Sequence, residues 1–283
     1  MTPGIPRPLK LWLLAGMLFL YGPIASVILF SFNDSKLVTV WAGFSTKWYS
    51  ALFQNDQILS AAWLSLRIGL VSGVLAVILG TMVAVVLSRF GPFRGRALLG
   101  GLATAPLVMP EVITGLSLLL LFVAMEQALG WPEGRGVATI VIAHTTFSMA
   151  YVAVIVQSRL VGMDRSIEEA ALDLGARPAK VFFVITLPLI MPALVSGFLL
   201  AFTLSLDDLV IASFVSGPGA STLPMVIYSK VRLGLSPEIN ALATLLVVVV
   251  ALGVAAAGLL MARAHRVRVM DEQLATANRR PGP

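Results

Sequence analysis

Residues 159–188 read RLVGMDRSIEEAALDLGARPAKVFFVITLP, a polar stretch set between long apolar runs. Ser166 and Glu169 have the spacing of a capping box, in which each side chain satisfies the other's free backbone N–H, and this predicts a helix beginning at Ile167. Gly175 can take the left-handed conformation that closes a helix, which limits this one to about two turns. Pro178 suits the first position of a second helix, because its missing N–H would have no partner there. Pro188 and Pro192 mark the next boundary. The expected product is a short, rigid helix–turn–helix on a membrane surface, carrying Arg159, Arg165, Arg177 and Lys180.

The composition says why a membrane is involved. Of the 283 residues 58% are apolar and 12% charged, and the mean hydropathy is +0.93. Soluble domains carry about 25% charged residues. The chain therefore reads as an all-α, multi-span membrane protein whose core is buried mostly in lipid. Its formal charge of +6 does not point to nucleic acid, because excess Lys and Arg in a membrane protein collect in the loops that stay in the cytoplasm. The absence of cysteine rules out disulfides, thiol catalysis and cysteine metal sites. His144 and His265 are too few and too far apart for a metal cluster; His144 reads as a hydrogen-bonded residue inside a helix bundle.

Six apolar runs are long enough to span, at about 11–32, 61–88, 97–125, 137–158, 189–215 and 237–262. The first follows positive charges, but it is too long for a signal core and no small-x-small cleavage site follows, so it is expected to remain as a span. The third is interrupted by Pro106 and Pro110. Residues 33–60 form an outer loop with Trp41, Trp48 and Tyr49, and Gly217-Pro218-Gly219 opens a second. Ser236 and Pro237 suit the start of the sixth span. Domain organisation is then an N-terminal segment 1–10, a six-helix domain 11–265 containing the hairpin, and a basic tail 266–283. Charge sets the orientation. Arg7, Lys10, Arg89, Arg94, Arg96, the four hairpin cations and Arg263, Arg266, Arg268, Arg279 and Arg280 share one side. Only Lys36, Lys47, Arg135, Lys230 and Arg232 lie on the other. Both termini and the hairpin are expected in the cytoplasm.

Three carboxylates fall inside apolar runs: Glu111, just after Pro110, and the pair Asp207 and Asp208, with Ser205 nearby. A carboxylate at membrane depth costs on the order of 3 kcal/mol, so it should face a partner or a water-filled path. Consecutive helix positions differ by about 100 degrees, so Asp207 and Asp208 cannot point the same way on a regular helix. One can face a path while the other pairs with a neighbour or caps a helix break. The acids can also serve packing alone, paired with Arg67 or polar groups. As a path they suit a flexible organic dication, which exchanges its hydration for carboxylates and aromatic faces; Trp48 and Tyr49 offer such faces, or else serve as interfacial anchors.

The hairpin also carries a resemblance. Glu169-Ala170-Ala171, then Gly175, then Ile185-Thr186-Leu187-Pro188 resembles the EAA loop of permease subunits from binding-protein-dependent ABC importers. SFNDSKLVTVWAGFSTKWYSALF, APLVMPEVITGLSLLLLFV and FTLSLDDLVIASFVSGPGASTLPMVIYSKVR are similar to the polyamine-transporting branch of that family, most of all to its putrescine permeases, over about residues 11–265. The resemblance implies the type I ABC importer permease fold in a bacterial inner membrane. It implies a second, different permease subunit, two ATPase subunits holding ATP and Mg, and a periplasmic polyamine-binding protein. It assigns Glu169, Ala170, Ala171, Gly175, Leu187 and Pro188 to ATPase coupling, and Trp48, Glu111, Ser205, Asp207 and Asp208 to the substrate path.

The residues themselves restrict the alternatives. No G-x-x-x-x-G-K phosphate loop occurs, so ATP hydrolysis is expected on another chain, with no cofactor or metal on this one. A proton-driven secondary carrier, with Glu111 and the aspartates as relay, should carry internal repeats, which are not seen, and leaves the hairpin unexplained. An intramembrane enzyme should place a Ser/His/Asp or His/Glu constellation near the acids, and none occurs at helix-compatible spacing. Spermidine or another small organic solute remains the alternative cargo.

Overall fold

In lipid a long apolar run can satisfy its backbone N–H and C=O groups only within itself, as a helix. A computed structural model of the chain describes residues 6–37, 40–234, 236–253 and 255. Its regular structure is helical apart from one isolated bridge between Asn33 and Phe44. The elements are α1 (Arg7–Ser31), α2 (Lys47–Phe53), α3 (Asp56–Arg89), α4 (Arg96–Val108), α5 (Glu111–Leu129) and α6 (Val137–Val161). They continue with α7 (Ser166–Asp173), α8 (Pro178–Val181), a π-helical turn (Phe182–Thr186), α9 (Leu187–Asp207), α10 (Val210–Val215), α11 (Leu223–Leu233) and α12 (Pro237–Gly253). Among the described residues, five stretches are long and apolar enough to cross a membrane: Pro8–Ser31, α3, α5, α6 and Pro178–Asp207. α4 and α12 are shorter apolar helices. The expected end of the last span at 262, and the tail, lie outside the described residues.

Several expected boundaries change, each for a local reason. The third run is two helices. Pro106 is accommodated inside α4, and the break falls at Met109, whose extended backbone (φ −83°, ψ 137°) is what a following proline imposes. Glu111 therefore opens α5 and does not sit in the middle of a span. The fifth run is also divided: α9 stops at Asp207, and Asp208 is extended (φ −67°, ψ 119°) before α10 begins. Conversely, Pro188 makes no boundary. Its ring would clash with the carbonyl four residues back, and the π turn widens the helix there, with the Leu187 N–H bonding to the Phe182 carbonyl. The two loops read from the sequence at 33–60 and after Gly217 each contain a helix, α2 and α11, where sequence reading placed none.

The capping box does not form. α7 begins at Ser166 itself, and the Asp164 carboxylate accepts both the Ser166 N–H at 2.9 Å and its hydroxyl at 2.8 Å. Asp164 takes the Ser166 N–H that the Glu169 side chain would have accepted and turns the hydroxyl toward itself, while the Glu169 N–H bonds to the Arg165 carbonyl at 3.0 Å. The Ser166 backbone bond, then its hydroxyl, holds the Asp164 carboxyl below the ordinary carboxylate range. This contribution to the start of α7 is present above the ordinary Asp pKa and is lost as pH falls through the lowered one.

The chain divides into two compact units, residues 1–55 with 230–283, and 56–229. In the first, the fully buried Asn33 organises the outer loop: its amide donates to the Val40 carbonyl at 2.7 Å and accepts from the Ala42 N–H at 2.9 Å. Ser31 and Tyr49 join α1 to α2 at 2.8 Å. α1 is exposed along its apolar length within the chain, as befits a helix that meets lipid or another subunit.

In the second unit α3, α6 and α9 pack together. Ala76, Gly80 and Ala84 make a small-residue stripe on α3; Ala76 and Ala84 share one core with Val152, Val156 and Leu160 of α6 and Ile190, Leu194 and Ala201 of α9. Ile68, Ile140, Ala143, Phe147, Ile211 and Val215 belong to a second core, which reaches α10. Lipid tails are as apolar as leucine, so close approach rather than water exclusion holds such helices together. At Gly80 a Cβ would lie 2.9 Å from both the Met149 carbonyl and the Val152 Cβ, which are atoms that cannot swing away. Gly80→Ala is expected to cost about 1–3 kcal/mol by overpacking, read as a lowered unfolding midpoint in detergent. Gly101→Ala, with open space around it, is expected to be neutral or mildly stabilising.

Candidate functional site

Two places gather the residues singled out by sequence. The first is the hairpin. α7 closes at Gly175, whose φ of +81° is left-handed, with the Gly175 N–H bonding to the Leu172 carbonyl at 2.9 Å and the Ala176 N–H to the Ala171 carbonyl at 3.0 Å. Pro178 then opens α8. Glu169 and Ala170 are exposed, Ala171 is half-buried, and Leu187 and Pro188 lie at the start of α9.

Sequence reading missed what anchors this hairpin. Arg89, at the end of α3, places Nε 2.8 Å from Glu168 Oε2, and the two side chains are only 15% and 12% exposed. Arg89 also donates through Nη1 to the Leu160 carbonyl at the end of α6, at 3.0 Å. Glu168 Oε1 accepts from Thr186 of the π turn at 2.7 Å, and Arg165 donates to the Ser88 carbonyl. One carboxylate thus joins α3, α7 and the π turn. Beside it lies a cavity of about 480 Å³ whose lining includes Arg89, Arg165, Glu168, Glu169 and Phe182. Arg89 reads in the sequence as a topology-setting cation, and no spacing links it to a glutamate in another helix.

The second place is a cavity of about 250 Å³ lined by Glu111, Phe147, Leu204, Asp207, Asp208, Leu209 and Val210. The breaks at Pro110 and Asp208 create it, because they bring the first residue of α5 and the end of α9 to the same space. Asp207 is exposed at the last turn of α9. Asp208 is turned inward. Its Oδ1 accepts the Ile211 N–H at 2.9 Å, capping α10, and its Oδ2 lies 3.2 Å from His144 Nε2. That last contact is an ion-pair distance without the alignment of a formed hydrogen bond.

Two residues assigned to the path have defined contacts of their own. Ser205 does not line the cavity; it is buried, 2.6 Å from His144 Nδ1 and 3.1 Å from Ser72 Oγ. Trp48 lies in the first unit, where its indole N–H donates to the Asn33 carbonyl at 2.7 Å and Lys47 sits 5.0 Å from its ring centroid. Lys47 also pairs with Asp34 and, by that hydrogen bond first, holds its carboxyl below the ordinary range. Arg67 makes no ion pair with the aspartates; it lines a separate depression with Gln57, Ser60 and Trp63. Phe147 lines the cavity without having been singled out in the sequence, and His144, behind the cavity wall, is the hydrogen-bonded bundle residue that the sequence suggested. Both lie on α6, and only the packing of that helix shows which face they present. Among the described residues no His/Asp/Glu group is placed to hold a metal ion.

Residues 73–268 match the family described as binding-protein-dependent transport system inner membrane component. The putrescine transport system permease protein PotI of Escherichia coli strain K12 is 62% identical over 263 residues, spanning 93% of this chain and 94% of that one. The spermidine/putrescine transport system permease protein PotC of the same organism is 44% identical over 231 residues, spanning 81% and 84%. Among solved structures, a bacterial ABC transporter involved in the import of the acidic polysaccharide alginate aligns with a TM-score of 0.68 at 18% identity. It covers 90% of this chain and 98% of that one. The inward-facing MetNI methionine ABC transporter aligns with a TM-score of 0.58 at 19% identity, covering 73% and 95%. At those identities the structures speak for the fold alone.

Breaking the Arg89–Glu168 pair leaves a charge in partly buried surroundings. Glu168→Gln is expected to destabilise the hairpin by about 2 kcal/mol, seen as faster amide exchange across 166–175. Glu169→Gln, on the exposed side, is expected to leave that exchange unchanged.

Proposed function

Because this chain belongs to the family of binding-protein-dependent transport system inner membrane components, we propose that it is the membrane-spanning permease subunit of an ATP-driven putrescine importer. Family membership makes it a transport component and not an enzyme, with the helical fold of a type I ABC importer permease. One observation carries the choice of cargo: identity of 62% to a putrescine permease across nearly the whole of both chains. The cavity suits that cargo. Glu111 and Asp207 offer carboxylates without an ion-pair partner among the described residues, and Phe147 adds an aromatic face. Anionic or neutral cargo would gain nothing from them.

In this reading the chain sits in a bacterial inner membrane with both termini in the cytoplasm. It pairs with a second, different permease subunit and with two ATPase subunits, which hold ATP and Mg. A periplasmic binding protein delivers the diamine. The hairpin docks into a cleft on the ATPase: Glu169 faces it, Ala170 and Ala171 permit close approach, and Gly175 makes the bend. Closure of the ATPase pair moves the hairpin, and the Arg89–Glu168–Thr186 network passes the displacement to α3 and the π turn. Leu187 and Pro188 lie where that turn meets α9. The bundle rocks, and the cation passes Asp207 and Glu111 toward the cytoplasm.

The test is ATP hydrolysis by the reconstituted complex with its binding protein, stimulated in turn by putrescine, spermidine, an amino acid and a sugar. Stimulation by the diamine is expected; stimulation by a neutral or anionic ligand alone would overturn the cargo, and a preference for spermidine would transfer it to the triamine. Asp207→Asn is expected to lower putrescine uptake about tenfold or more, the loss of one charge-assisted contact, with complex yield unchanged. Glu169→Lys is expected to abolish uptake while the chain still inserts.

A further inference from the structure

The cavity has three carboxylates in its wall, whereas a linear diamine carries two positive charges. The three are not equivalent. Among the described residues, Glu111 and Asp207 lie at ion-pair distance from no cation, whereas Asp208 lies at that distance from His144. Asp208 is met at both oxygens: Oδ1 accepts the Ile211 N–H at 2.9 Å, and Oδ2 lies 3.2 Å from His144 Nε2.

His144 is itself fixed from behind. It is 2% exposed, and its Nδ1 lies 2.6 Å from Ser205 Oγ, which in turn lies 3.1 Å from Ser72 Oγ. Nδ1 and the Ser205 hydroxyl share one hydrogen bond, and Nε2 is the ring nitrogen that faces Asp208. The relay spans α3, α9 and α6, and it meets the charge of Asp208 from the side of α6.

We infer that His144 is a positioning residue that sets the charge count of the cavity: by holding Asp208 against α6 it leaves two carboxylates, Glu111 and Asp207, for the cargo, and so favours a dication over a trication. This rests on the diamine reading above. Without the imidazole, Oδ2 of Asp208 is free of its partner and adjoins the same cavity. A third ammonium then has a counter-charge, and a diamine leaves one carboxylate unmet in surroundings of low dielectric, which is a penalty on the smaller cargo.

The experiment is uptake of putrescine and of spermidine by the complete complex in proteoliposomes, with one and the same binding protein throughout. The binding protein's own selectivity then cancels between variant and wild type. His144→Ala is expected to shift the ratio of the two KM values about tenfold toward spermidine, the effect of removing the imidazole that lies against the Asp208 carboxylate. His144→Gln, whose amide N–H can still reach the carboxylate, is expected to stay near the wild-type ratio. A fall in both rates with an unchanged ratio in His144→Ala would overturn the inference and leave His144 a packing residue. Should His144→Ala not assemble, Ser205→Ala removes the support behind Nδ1 while keeping the imidazole. It is expected to shift the ratio in the same direction by a smaller factor, and an unchanged ratio there is equally fatal. A wild-type complex that ignores putrescine would overturn the diamine reading itself, before any variant is compared.

Discussion

Backbone in an apolar medium has no water to turn to, so every departure from the helix must be satisfied by the protein itself. This chain departs three times in the second unit, and each departure has its own remedy. At Met109 a proline imposes extended backbone. At Asp208 the carboxylate takes up the first free N–H of the next helix. Before Pro188 the helix widens into a π turn and continues. The residues that carry chemistry cluster at these points. Glu111 and Asp207 are helix-terminal residues, and Glu168 reaches the π turn through Thr186.

The two adjacent glutamates of the hairpin divide the labour. Glu168 faces inward and is consumed by Arg89 and Thr186, so α7 moves with α3 and the π turn. Glu169 faces outward and stays available. Neighbouring helix positions point about 100 degrees apart, so a single turn can hold one acid for its own scaffold and offer the next to a partner. The aspartates at the end of α9 show the same arrangement by a different route: there a break, not a turn of helix, separates Asp207 in the cavity from Asp208 against His144.

Much of this was legible in the residues. The hydropathy of the runs is a one-dimensional property, and so is the reach of Gly175 and Pro178, which close and open the hairpin helices where their backbone chemistry predicts. The capping box failed because Asp164 competes for the same N–H, a contest between two neighbours that a motif does not weigh. Pro188 failed as a boundary because the π turn before it, closed by the Leu187 N–H on the Phe182 carbonyl, makes room for the ring.

Sequence alone determined the class of the molecule: helices long enough to span, a short polar hairpin between them, and acids too costly to be idle in an apolar run. Those are local quantities, set by side-chain polarity and backbone freedom. Tertiary structure alone decided the partners. That Arg89 meets Glu168, that Ser205 meets His144, and that His144 lies against Asp208 all depend on which faces α3, α6 and α9 turn toward each other. That choice rests on small residues such as Gly80, where two backbones approach until a methyl group would not fit. Such an approach couples positions far apart in the chain, and no local spacing encodes it.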